Sequence, residues 1–130
     1  MTEKNKILVV DDEEDILSLV KMRLEANGYE VITAQDGQEG LNIAKSAKPD
    51  LIVLDLMLPK MDGYKVCRIL KFDSRYKDIP IILFTARSRE EDKKTGFVTG
   101  ADAYITKPFE PQVLLESIKK LLSKKHDEKA

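Results

Sequence analysis

Cysteine is nearly missing from this chain. Cys67 is the only one, so no internal disulfide can form, which fits a reducing compartment. Charge of one sign is missing too. Lys and Arg number 22, Asp and Glu 23, and the net charge is −1. That balance offers no general attraction to nucleic acid or to acidic membranes. Long hydrophobic runs are lacking: no stretch approaches the roughly 20 apolar residues that span a bilayer. The opening "MTEKNKILVV" has too short an apolar run for an export signal and enters a strand-like pattern. A cytoplasmic location without a membrane partner is expected. There is no internal repeat, low-complexity stretch or linker, and no glycine-rich phosphate loop of the nucleotide-binding kind. The single histidine, His126, lies in the polar "SKKHDEKA" and reads as a solvated tail residue.

What is present alternates between two textures. Continuous apolar runs occur at "KILVV" (6–10), "LIVL" (51–54) and "IPIILF" (79–84), as in strands covered on both faces. "EVITA" (30–34) and "AYIT" (103–106) are shorter and partly polar, which suits sheet edges. Helical spacing falls between them. Leu17, Val20 and Leu24 predict a helix over 14–27 with Gly28 after its end. Further helices are predicted over about 38–47, before Pro49, and about 64–72, with Val66, Ile69 and Leu70 on one side. Leu114, Ile118, Leu121 and Leu122 predict a fifth helix over about 110–123. The fourth, about 88–98, is poor in pattern: "SREEDKKTGFVTG" is charged at its start and holds Gly96, so it is expected to shift easily. Strand and helix alternating five times predict one α/β domain over 1–130 with a parallel sheet and helices on both faces. Its core is expected over about 6–123, with a frayed polar tail at 124–130.

The polar residues gather at strand ends. Asp11 and Asp12 follow the first strand, Asp55 ends the third, Thr85 ends the fourth and Lys107 follows the fifth. In an open parallel sheet these ends share the edge where ligands bind. Taken singly, an acidic pair reads as a turn or helix cap, the threonine as a strand residue and the lysine as a surface charge. Together they describe a site. Clustered carboxylates repel one another and call for a hard cation, and few carboxylates with open positions suit Mg²⁺. A lysine, a hydroxyl donor, a metal and a carboxylate nucleophile make a phosphoryl-transfer site, with Asp55 becoming an aspartyl phosphate.

The stretches "ILVVDDEEDI", "PDLIVLDLMLPKMDGY", "IPIILFTAR" and "GADAYITKPF" resemble the receiver domains of bacterial response regulators, in the same order and over about residues 6–123. The resemblance implies a flavodoxin-like doubly wound fold, a five-stranded parallel sheet of order 2-1-3-4-5 with five helices. It implies Asp55 as phosphoacceptor, Asp12 as direct Mg²⁺ ligand, Asp11 as a ligand largely through water, and the Met57 backbone carbonyl as a further ligand. Lys107 resembles the family's invariant lysine, and its bond to Pro108 is expected to be cis. Thr85 resembles the switch hydroxyl and Tyr104 the switch aromatic. Gly63 fits the turn that closes the loop after Asp55.

The implied partners are a sensor histidine kinase or phosphotransfer protein and a downstream protein target. Phosphorylation would move helix 88–98, the fifth strand and the fifth helix, in a monomer or a phosphorylation-dependent dimer. This sequence departs from relatives at Ala103, where a second acidic residue is common. Met57 cannot orient an attacking water, and Arg87 can shield the phosphoryl group, so slow self-dephosphorylation is expected. Rival readings are a phosphatase of the haloacid dehalogenase type, disfavoured because position 57 is Met rather than a second aspartate, and a degenerate receiver that only binds a partner. Turnover of outside substrates is not expected. No effector motif follows residue 123, so a single-domain regulator and the receiver half of a longer transcription factor both stay open.

Overall fold

Strand-forming runs of Ile, Leu and Val need two covers, and the chain supplies one for each face. In the computed structural model, which describes residues 4–86 and 100–129, five strands form one sheet. They are β1 (Lys6–Val10), β2 (Glu30–Ala34), β3 (Leu51–Asp55), β4 (Ile81–Ala86) and β5 (Ala103–Lys107). Their order is β2-β1-β3-β4-β5 and every neighbouring pair is parallel. The helices are α1 (Glu14–Ala26), α2 (Gly37–Ala47), α3 (Gly63–Lys71) and a C-terminal helix, Pro111–Lys129. The helix expected at 88–98 and Arg87 lie outside the described residues.

Alternation along each strand sorts the side chains. Leu8, Val10, Ile52, Leu54, Ile81 and Leu83 pack with α2 and α3. Ile7, Val9, Val53, Ile82, Phe84 and Ile105 pack with α1 and the C-terminal helix. Each fully buried aliphatic side chain contributes about 1.5–3 kcal/mol of transfer free energy. β1 and β3 are almost wholly buried, whereas β2 and β5, at the edges, are only partly covered.

Helix ends fall within one residue of the sequence expectation except at the C-terminus. The segment 124–129, expected as a frayed tail, continues the C-terminal helix to Lys129 and takes in His126. The stretch after Leu122 holds no Gly or Pro before Lys129, and lysines near a helix C-terminus complement its dipole.

Candidate functional site

Register builds the site. Val10 pairs with Ala34 and with Leu54, and Asp55 pairs with Phe84. The next residue, Asp11, therefore emerges beside Asp55, and its N–H continues the ladder by donating to Ala34 O at 3.1 Å. On the other side Thr85 pairs with Thr106 and Ala86 with Lys107. One row across the carboxyl edge of the sheet thus collects residues far apart in sequence.

Asp11 is 0% exposed and Asp55 6% exposed, the two charged residues buried among the described ones. One oxygen of Asp11, Asp12, Glu13 and Asp55 can each be chosen so that all lie within 4.8 Å of one another. Among the described residues one ammonium faces them. Lys107 Nζ lies 2.7 Å from Asp11 Oδ2, 3.4 Å from Glu13 Oε1 and 3.4 Å from Asp55 Oδ2. Four carboxylates against one ammonium leave a negative surplus, with Asp11 and Asp55 buried and Asp12 and Glu13 open to solvent. Asp55 registers it: burial, opposed by Lys107 and reinforced by Asp11, pushes its carboxyl up to about 6. Burial on its own would lower the Lys107 ammonium, but its hydrogen bond to Asp11 and the charges of Asp55, Asp11 and Glu13 outweigh that and raise it.

An aromatic floor lies under the lysine. Its Nζ stands 5.7 Å from the Phe84 ring centroid, and Phe84 stacks on Phe109 at 4.7 Å and 24°. The Lys107–Pro108 peptide is cis. Asp11 also serves as a turn residue, since its Oδ1 accepts the Glu13 N–H at 2.9 Å where α1 begins. The turn reading and the site reading of the acidic pair therefore hold together.

The Met57 N–H reaches Asp55 Oδ1 at 3.5 Å, a long contact, and its side chain is 58% exposed. Thr85 is the last but one residue of β4 by its backbone; its side chain lies outside the described residues. Tyr104 is partly buried on β5, packed toward the α2 and α3 side. Gly63 closes the loop after Asp55 by donating its N–H to Leu56 O at 3.0 Å. It opens α3 behind the N-cap Asp62, and a Cβ there would collide with the Asp55 carbonyl. The demand at this position is close approach of the helix to the strand end, not an unusual dihedral. Glu13 was missed by sequence reasoning; its signal was adjacency to Asp11 and Asp12.

The donor set is all oxygen and mostly carboxylate, which fits a hard divalent cation and not a soft one. No helix among the described residues is long and apolar enough to cross a membrane.

Known proteins match this arrangement. The response regulator receiver domain profile covers residues 7–119. The alkaline phosphatase synthesis transcriptional regulatory protein PhoP of Bacillus subtilis is 51% identical over 117 residues, which is 90% of this chain and 48% of that protein. The DNA-binding dual master transcriptional regulator RpaA of Synechocystis is 47% identical over 117 residues, 90% of this chain and 48% of that one. The chain spans about half the length of the curated relatives it matches. Among solved structures, a putative response regulator from Chloroflexus aurantiacus superposes with a TM-score of 0.89 at 35% identity, covering 93% of this chain and 99% of that one. With its sheet order, its acidic edge and a profile match across nearly its whole length, the chain belongs to the response regulator receiver domains.

Proposed function

We propose that Asp55 accepts a phosphoryl group from a phosphohistidine on a sensor kinase or phosphotransfer protein, and that the acyl phosphate so formed controls a partner surface. Response regulators as a family receive their phosphoryl group from histidine kinases, and receiver domains are signalling domains rather than turnover enzymes. One observation carries the assignment to Asp55: it is a buried strand-end carboxylate, 3.4 Å from a lysine ammonium and inside a four-carboxylate cluster.

In the transfer, an Asp55 carboxylate oxygen bonds to phosphorus as the P–N bond to the imidazole breaks, and the electron pair leaves with the imidazole nitrogen. Lys107 stands ready to pair with a phosphoryl oxygen once its hold on Asp11 loosens. Asp11, Asp12, Asp55 and the Met57 carbonyl would hold Mg²⁺, whose charge would offset that of the phosphoryl oxygens. The surplus-negative cluster, half of it buried, supports that assignment. Thr85 and Tyr104 are the proposed switch residues, which would pass the change to segment 88–98, β5 and the C-terminal helix. The transcriptional-regulator names of its relatives favour an output on transcription over one on a motor or enzyme. The exposed, apolar Met57 side chain offers no donor to orient water, which supports slow hydrolysis.

The test is intact-mass spectrometry after incubation with phosphoramidate and Mg²⁺. A single phosphoryl group should appear in the parent protein, and not in Asp55→Asn or without Mg²⁺. A time course of its loss reads the lifetime. No gain under any condition would sink the acceptor reading, and gain that persists in Asp55→Asn would move it to another residue.

A further inference from the structure

The Met57 N–H reaches Asp55 Oδ1, yet the Met57 side chain lies mostly in solvent and cannot set its position. What holds the loop must lie elsewhere. Segment 56–62 is braced at two points. On one side Gly63 N–H donates to Leu56 O at 3.0 Å, and α3 abuts the end of β3. On the other, the N-terminus of α2 presses on the loop. The Gly37 N–H, one of the first-turn donors a helix cannot satisfy internally, donates to Pro59 O at 3.3 Å. A Cβ on Gly37 would fall within the Met61 carbonyl, and its next neighbour would be Met61 Cβ. Asp36, which caps α2 through the Glu39 N–H, also lies 3.6 Å from Lys60 Nζ. Lys60 itself has φ 67, so the loop turns sharply where α2 meets it.

Glycine opening a helix is unfavourable for the helix. Here it lets two backbones meet with no side chain between them. We infer that Gly37 is a positioning residue for the acceptor loop: its bare Cα sets where segment 57–62 lies against α2, and through it where the Met57 backbone stands beside Asp55. Gly37 touches neither Asp55 nor Lys107 and takes no part in the chemistry. The inference rests on the proposed function, because it concerns the precision of that site.

The test compares Gly37→Ala with Gly28→Ala. Gly28 has φ 90 and open space around it, so alanine there strains the backbone and touches nothing. Both variants should melt below the parent. Only Gly37→Ala should weaken Mg²⁺, read as the midpoint of an MgCl₂ titration followed by Tm, and slow phosphorylation by phosphoramidate at saturating Mg²⁺. Losses of about tenfold to a hundredfold are expected, as for other changes that displace a ligand without removing it. Met61→Gly, which loosens the same junction from the loop side, should lower Mg²⁺ affinity in the same direction. It gives the readout if Gly37→Ala does not fold.

If Gly37→Ala, or Met61→Gly in its place, keeps the Mg²⁺ midpoint and the phosphorylation rate of Gly28→Ala, Gly37 is merely structural and the inference is wrong. If the parent protein neither binds Mg²⁺ nor accepts phosphoryl, the functional reading fails and takes this inference with it.

Discussion

The two edges of the sheet use the same residue types to opposite ends. At the carboxyl edge, Lys107 faces Asp11, Glu13 and Asp55, with Asp12 close by, and negative charge is left over. At the amino edge, Lys71 pairs with Asp102 at 2.7 Å and donates to Lys77 O at 3.0 Å and Ile79 O at 2.8 Å. Asp102 in turn accepts the Ile81 N–H at 2.8 Å. That lysine is 10% exposed and its three donors have three acceptors. The amino edge is a staple that ties the end of α3 to the starts of β4 and β5. The carboxyl edge is left charged and open to a ligand. A balanced ion pair, hydrogen-bonded all round, holds a fold together; an unbalanced one holds chemistry in readiness.

The largest expected effect breaks the staple. Lys71→Met should cost about 3 kcal/mol of stability, because it leaves the Lys77 and Ile79 carbonyls without their donor and takes the counter-charge from the partly exposed Asp102. Urea unfolding measures it, and phosphorylation of the folded protein should persist. A loss of phosphorylation with unchanged stability would reverse the assignment of the two edges.

Next comes the ligand at the open edge. Mg²⁺ at a hundred times its dissociation constant should stabilise the parent by about 2.7 kcal/mol, through binding to the folded state alone. The stabilisation should shrink in Asp12→Asn and stay intact in Asp102→Asn, as read by thermal melts with and without MgCl₂. Equal shrinkage in both would erase the contrast between the edges.

The smallest effect is a pH dependence. Burial pushes the Asp55 carboxyl up to about 6 in the folded protein, against an ordinary value of 3.8. The folded state therefore binds the Asp55 proton more readily than the unfolded state does. This group's burden on stability is absent below about pH 4, grows as pH rises toward 6 and is complete above it. At pH 7.5 Asp55→Asn should be more stable than the parent by on the order of 1–2 kcal/mol, a figure reduced for partial solvation. The gap should close on acidification to pH 4. A gap independent of pH would mean that the carboxylate is already neutralised without metal.

The strands were legible as apolar runs, and three helices as periodic leucines, valines and isoleucines, because burial on two faces or one leaves a local pattern; the helix at 38–47 was placed by the proline that follows it. The acidic pair, Asp55 and Lys107 were legible because polar residues at the ends of apolar strands are conspicuous. Lys71 and Asp102 were not: each looks like a surface charge until α3 and the start of β5 are brought together. Gly63 drew notice as a turn residue, and its further constraint, a helix pressed on the Asp55 carbonyl, is a tertiary contact with no local signature.

The sequence by itself determined the alternation of elements and the chemical inventory, since period and residue type are properties of the chain. Only the tertiary structure decided which charges meet. Parallel register put Asp11 beside Asp55 and brought Lys107 across 96 residues to Asp11, while it sent Lys71 to Asp102 at the far edge. Coulomb energy depends on separation in space and on the local dielectric, and neither can be read along the chain.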